Sequence, residues 1–268
     1  MMQIKNKVVI ITGASRGVGK SLAKEFSSRG AITVITARSI TKLKEVEAEL
    51  KHNDAKVYPI ALDVTLKKSI KSMVNEVIQK YGRIDILVNN AALAFYEEIA
   101  DSKWSDIKKL FQTNFFGPLQ CIQMVLPYMK KRRTGLIINI SAPISKYSLH
   151  HQGIYAASKA ALERITEALD IEESKYGIKT LIAIIDRTKT DMKKHALGPK
   201  KYARLPYNFQ ESDPDAVAKK IVRYMIKGYG VCFMSKRSWA FSIASALYPQ
   251  LINKMFKKSH KKFIIGLK

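Results

Sequence analysis

The sequence predicts an α/β fold: a single domain built on a doubly wound parallel sheet with helices on both faces. Three observations carry that prediction. Short apolar and β-branched runs alternate with segments of helical periodicity. A glycine-rich turn, with Gly13, Gly17 and Gly19, follows the first apolar run at once. The 268 residues, 47% of them hydrophobic, are enough for one large core.

The elements follow in order. Residues 8–11 are a continuous apolar run ended by glycine, which suits a strand buried on both faces. From 17 to 28, Val18, Leu22, Ala23 and Phe26 recur at helical spacing. Residues 31–36 are β-branched and read as a second strand. Residues 41–50 return to helix, with Thr41 as the cap. A strand over 57–62, a helix over 67–81 and a strand over 84–88 come next. Residues 104–131 read as one long helix, bent near Gly117 and Pro118 and again at Pro127. A fifth strand over 136–140, a helix over 155–176 and a sixth strand over 179–185 complete the alternation. Parallel strands so connected need right-handed crossovers, and they place a ligand beyond their C-terminal ends, where strand order reverses. Residues 191–215, with Gly198, Pro199, Pro206 and Pro214, read as a substrate loop or mobile lid.

Charge divides the chain further. Lys and Arg number 47 against 22 Asp and Glu, a formal net charge of +25, which favours anionic partners. No acidic residue follows Asp215, whereas twelve Lys and Arg do. Residues 1–238 are therefore assigned to the globular domain and 239–268 to a basic amphipathic extension. Lysines beside Trp239, Phe241, Leu251 and Phe256 suit peripheral contact with an anionic membrane. The alternative is a helix packed on the core with a solvated lysine tail. Pro249 and the short apolar runs argue against a spanning helix. Nucleic acid is disfavoured, because no zinc pattern, RNA-binding aromatic motif or helix-turn-helix signal accompanies the charge. Cys121 and Cys232 lie far apart, as two thiols of a reducing compartment would. The run at 8–11 is too short for a signal peptide, so the expected location is cytoplasmic, with peripheral membrane attachment through the extension.

The turn at Gly13, Ala14, Ser15, Arg16, Gly17, Val18 and Gly19 lets the backbone approach a pyrophosphate, and the helix after it offers free N–H groups. With Thr12 it resembles the cofactor motif of the short-chain dehydrogenase/reductase family, whose domain is a Rossmann-type fold. Asp63 and Val64 stand where that family contacts adenine. Asn89, Asn90, Ala91 and Ala92 resemble its Asn-Asn-Ala-Gly signature, with alanine for the last glycine. The resemblance implies that Asn90 flanks the cofactor. An acid after the second strand would accept from the 2′-hydroxyl of NAD. Here Ala37 and Arg38 stand there, and Arg16 lies in the glycine turn. Two guanidinium groups suit a 2′-phosphate, which favours NADP(H).

Tyr155 and Lys159 are four apart on a helix and share one face. A nearby ammonium and an oxidised nicotinamide would favour the phenolate and lower the tyrosine pKa. The resemblance implies that Tyr155 is the acid/base, that Lys159 tunes it and holds the nicotinamide ribose, and that Asn114 anchors a water in the proton relay. Thr190 matches a family threonine that meets the carboxamide, but the Pro-Gly that precedes it in the family is replaced around Asp186 and Arg187. Those two pair with each other or face solvent. The family serine, thirteen positions before the tyrosine, is Ala142 here. Ser145, His150 and His151 are the side chains that can replace its hydroxyl, while Ser141 points away if the strand continues; the two histidines otherwise read as a solvated loop pair. Phe95, Tyr96, Ile144, Tyr147 and Met192 form the expected substrate wall. The function implied is an NADP(H)-dependent oxidoreductase, a homodimer or homotetramer, moving hydride between nicotinamide and a small-molecule carbonyl or alcohol substrate of lipophilic character. The alternative, raised by Ala142, is an NADP(H)-binding scaffold or redox sensor with little turnover.

Overall fold

The computed structural model describes residues 3–51, 55–199, 202, 211–228 and 230–265. Among them, β1 (Val8–Thr12), β2 (Ile32–Ala37), β3 (Lys56–Ala61), β4 (Ile86–Asn89), β5 (Gly135–Ser141), β6 (Ile178–Ile184) and β7 (Gly230–Phe233) form one sheet, ordered β3-β2-β1-β4-β5-β6-β7. Every pairing is parallel. The order reverses between β1 and β4, so a crevice opens beyond Thr12 and Asn89.

Alternation along the strands builds two cores. Val9, Ile11, Ile86, Val88 and Ile138 face one side, where α1 (Gly17–Ser28), α2 (Ile40–Leu50) and α7 (Pro214–Lys227) pack through Leu22, Phe26, Leu43, Ile221 and Met225. Val8, Ile10, Leu87 and Ile137 face the other, against α3 (Lys67–Tyr81), α5 (Gly117–Arg132) and α6 (Gly153–Glu173) through Ile70, Val74, Val125 and Leu169. Strands buried on both faces explain the near-continuous apolar runs.

Four details differ from the expectation. Ser39, not Thr41, caps α2, accepting from Lys42 N at 3.4 Å. The long helix over 104–131 is divided: α4 (Trp104–Phe111) passes through a π turn at Gln112–Phe116 into α5. Helix α7, capped by the Asp213 carboxylate, and strand β7 were not anticipated. β7 is four residues long with one β-branched side chain, too little for a periodic signal. The chain then forms α8 (Lys236–Leu247) and α9 (Pro249–Ile265). Of the expected lid over 191–215, residues 200, 201 and 203–210 lie outside the described ones.

Candidate active site

The switch-point crevice is the rim of a cavity of about 1790 Å³. Its floor at one end is the glycine turn. Gly13 adopts φ +67°, where an L side chain is strained, and a Cβ there would come 2.9 Å from Ala91 Cα. A Cβ on Gly19 would stand 2.3 Å from the Gly13 carbonyl oxygen. Asn90 ties this turn to the end of β4, its amide donating to Thr12 O at 2.9 Å and Gly13 O at 3.2 Å. Thr12 Oγ1 in turn accepts from Asn90 N and Ala91 N, each at 3.0 Å. Gly19→Ala therefore overpacks a turn that cannot yield. Urea denaturation should show a loss of about 1–3 kcal/mol relative to the wild type.

Ser15, Arg16, Gly17, Val18, Arg38, Asp63, Val64 and Thr190 line the same cavity. Asp63 is held in a turn, its Oδ1 accepting from Thr65 N at 2.9 Å and Thr65 Oγ1 at 2.7 Å. Thr190 packs on the glycine turn, where a Cβ on Gly17 would meet its Cγ2 at 2.9 Å. Arg16 and Arg38 are exposed at the cavity rim, joined there by Lys42. Among the described residues none of these three cations has an ion-pair partner. The first strand's end, the glycine turn and the helix start thus converge as anticipated.

At the other end, Tyr155 and Lys159 of α6 line the wall beyond β5. Lys159 is buried and donates to Ile140 O at 2.9 Å. Burial lowers its pKa to about 8, against a smaller opposing pull from Glu163. The lowering expected for Tyr155 includes the charge of an oxidised nicotinamide, and in the chain alone the direction is the opposite. Burial, with a lesser contribution from Tyr96, pushes its phenol up rather than down. Lys159 directs one of its three N–H groups at the Ile140 carbonyl, and in the chain alone burial outweighs any pull it exerts on the phenol.

Asn114 sits in the π turn, fully buried. Its Oδ1 accepts from Leu93 N at 2.8 Å, and its Nδ2 donates to Leu93 O at 2.9 Å and Ser158 Oγ at 3.1 Å. π turns recur at functional sites. This one explains why Asn114 points inward while the flanking Phe116 is exposed. Asn89, Asn139 and Thr166 form a buried chain of hydrogen bonds behind it, at 2.8 and 2.7 Å, linking β4, β5 and α6.

Ala142 lines the cavity just past β5. Ser145 is no free substitute for a hydroxyl there. Its Oγ lies at 2.8 Å from Ala142 O and 2.5 Å from Glu163 Oε1. Ser141, at the last position of β5, is buried and also donates to Glu163. Glu163 is a buried carboxylate that further pairs with Lys146 Nζ at 2.7 Å. Nothing in the sequence marked it, because a single Glu on a helix reads as solvated. Gln152, at the start of α6, lines the cavity, is buried, and has no hydrogen-bond partner for its amide among the described residues.

The remaining residues sort as follows. Tyr96, Ile144, Tyr147 and Met192 line the cavity, whereas Phe95 is 1% exposed and belongs to the core, beside Leu197. Asp186 and Arg187 do not pair with each other. Ser238 Oγ of α8 donates to Asp186, and Arg187 Nε donates to Glu211 Oε1 at 2.8 Å. Tyr147 packs edge-on against Phe241 of α8, ring centroids 4.7 Å apart, and lies 5.7 Å from Phe256 of α9. Both closing helices thus cover the cavity mouth.

His150 and His151 are not solvated. They converge with His260 of α9, their ring nitrogens within 4.8 Å, and His151 stacks on Tyr202 at 4.0 Å. Burial, then His260 and His151, lowers the His150 pKa to about 4. The unfolded chain takes up this proton near pH 6.5, the folded chain only near pH 4. Between those values the unfolded state binds more protons, so stability falls as pH drops from 6.5 towards 4. The thermal midpoint of the wild type should fall more steeply across that window than that of His150→Asn.

A doubly wound parallel sheet, a glycine turn at its switch point and a Tyr-x-x-x-Lys helix on the same cavity define a nucleotide-binding oxidoreductase architecture. Residues 7–200 match the short chain dehydrogenase family, and the chain belongs to it. An uncharacterized oxidoreductase of Staphylococcus epidermidis is 35% identical over 179 residues, 67% of this chain and 76% of that protein. A 3-ketodihydrosphingosine reductase of Bacteroides thetaiotaomicron is 35% identical over 176 residues, 66% of this chain and 62% of that protein. A metagenomic short-chain oxidoreductase in complex with NADP superposes with TM-score 0.71 at 25% identity, covering 85% of this chain and 93% of its own. A short-chain dehydrogenase/reductase of Burkholderia phymatum in complex with NAD gives 0.82 at 20% identity, covering 94% and 96%.

Proposed function

We propose that the protein is an NADP(H)-dependent carbonyl reductase or alcohol dehydrogenase acting on a lipophilic substrate. The observation that carries this reading is that one cavity joins the glycine turn to Tyr155 and Lys159. The residues present fit a phosphorylated dinucleotide: a turn without room for side chains, a helix N-terminus, and cations at the rim with no ion-pair partner among the described residues. When bound, the nicotinamide supplies or accepts the hydride. Gly13, Ser15, Gly17, Val18 and Gly19 would cradle the pyrophosphate, Asp63 and Val64 would border the adenine, and Asn90 and Thr190 would flank the nicotinamide end.

In the reducing direction, the Tyr155 hydroxyl gives its proton to the substrate oxygen as the carbonyl carbon gains a hydride. Burial favours the protonated phenol, the form a reductase needs at neutral pH. Lys159 would hold the nicotinamide ribose and return a proton to Tyr155, with Asn114 positioning the water that links them to solvent. Tyr96, Ile144, Tyr147, Met192, Phe241 and Phe256 make the substrate end largely apolar. The likeness to a 3-ketodihydrosphingosine reductase supports a lipophilic carbonyl.

Arg16 and Arg38 are the basis for choosing NADP(H) over NAD(H), by bidentate bonds to a 2′-phosphate. Arg38→Asp should weaken NADPH binding about ten- to hundredfold while leaving NADH binding little changed, read by fluorescence titration of both. Exposed Trp104 and Phe116 before α5 and Ile171 on α6 support homo-oligomerisation across those helices. Free, buried Cys121 and Cys232 suit a reducing, cytoplasmic compartment.

The test is NADPH consumption against a panel of lipophilic aldehydes and ketones. Turnover supports the reading. NADPH binding with no turnover across the panel would favour a cofactor-binding scaffold, the reading that Ala142 motivates.

A further inference from the structure

The last two helices carry an apolar stripe left open to solvent. On α8, Trp239, Ile243 and Leu247 recur every four residues, 52%, 40% and 66% exposed. Tyr248 and Leu251 extend the stripe across Pro249 into α9, 62% and 65% exposed, and Met255, 47% exposed, stands at its edge, where it also lines the cavity. The opposite side of the pair is occupied, since Phe241 and Phe256 pack on Tyr147 and Ile252 is buried. The hairpin thus has one face on the cavity mouth and one face outward. Six large apolar side chains in one short segment are more than a monomer leaves exposed without use.

Charge selects the occupant. Lys236, Lys254, Lys257, Lys258 and Lys261 are exposed along the same two helices, and the chain has no acidic residue after Asp215. A second copy would set these lysines against their own images, on molecules that each carry a formal charge of +25. Nucleic acid would match the lysines but give Ile243, Leu247, Leu251 and Met255 nothing to bury against. An anionic bilayer satisfies both features, with apolar side chains in the acyl boundary and ammonium groups among the headgroups. No helix among the described residues is long and apolar enough to cross a membrane, so the geometry is of lying on the surface.

We propose that the α8–α9 hairpin docks the protein on an anionic lipid bilayer, its outer apolar stripe at the headgroup–acyl boundary. The docking stands on exposure and charge alone, independent of the chemistry assigned to the cavity.

The test is cosedimentation of the full chain with vesicles of phosphatidylcholine alone or mixed with phosphatidylserine. The expected result is sedimentation with the mixed vesicles only, reversed by high salt. Each lysine near an anionic surface contributes roughly fivefold to partitioning. Lys257→Gln with Lys258→Gln should therefore weaken binding about 25-fold, and Leu247→Glu with Leu251→Glu should abolish it. Trp239 and Trp104 are the two tryptophans. In a Trp104→Phe protein, whose hairpin is untouched, emission should shift to the blue on adding mixed vesicles. Protein left in the supernatant with both vesicle types, or an emission maximum that does not move, overturns the proposal. So does a concentration-dependent dimer that Leu247→Glu and Leu251→Glu dissolve, which would make the stripe a subunit interface.

Discussion

Tyr155→Phe is expected to lower kcat for carbonyl reduction by about 10²- to 10⁴-fold, the range for loss of a positioned general acid. The phenol is the titratable group that α6 presents to the cavity beside Lys159, and it is held protonated by burial. Removing its oxygen leaves the ring, the helix and the cofactor end untouched. NADPH affinity should therefore stay within a fewfold of the wild type, because the glycine turn, Asn90 and the rim arginines do not depend on Tyr155. A pure kcat effect separates lost proton transfer from lost binding. Parallel losses in kcat and NADPH affinity would instead assign Tyr155 a structural role.

Ala142→Ser is expected to raise kcat by about ten- to hundredfold, since one donor aimed at a developing oxyanion is typically worth about 10²- to 10³-fold when removed. Ala142 lines the cavity just past β5, and its neighbours cannot fill the gap, because Ser141 and Ser145 both bond Glu163. Gln152 lines the same cavity, and its amide has no hydrogen-bond partner among the described residues. If Gln152 supplies the missing bond, Gln152→Ala will lower kcat in the wild type and matter much less in the Ala142→Ser background. Such non-additivity is the signature of two groups serving one oxygen. Independent, additive effects would place Gln152 outside the reacting centre.

The sheet was legible because strands buried on both faces and helices of 3.6 periodicity leave a direct imprint on apolar spacing. β7 left none, at four residues. The glycine turn and the Tyr155–Lys159 pair were legible for a geometric reason, being local in sequence: each lies within one turn or one helical step. What was not legible depends on distant segments. Glu163 gathers Ser141, Ser145 and Lys146 only once α6 packs on β5. His150 and His151 leave solvent where α9 brings His260 against them and Tyr202 stacks on His151. The lowering expected for Tyr155 included the charge of an oxidised nicotinamide, whereas in the chain alone burial raises its pKa. Helical spacing places Lys159 beside it, but spacing does not reveal that Lys159 is buried and committed to the Ile140 carbonyl. The closing helices α8 and α9 line the cavity as well, through Phe241 and Phe256, although residues 239–268 read in sequence as a basic amphipathic extension.

The most direct test of the central claim is transfer of label. NADPH carrying deuterium at both nicotinamide C4 positions is incubated with the protein and a lipophilic ketone, and the alcohol is weighed by mass spectrometry. One deuterium is expected on the carbinol carbon, with product formation dependent on Tyr155. Binding of NADPH with no labelled alcohol from any ketone the cavity admits would contradict it.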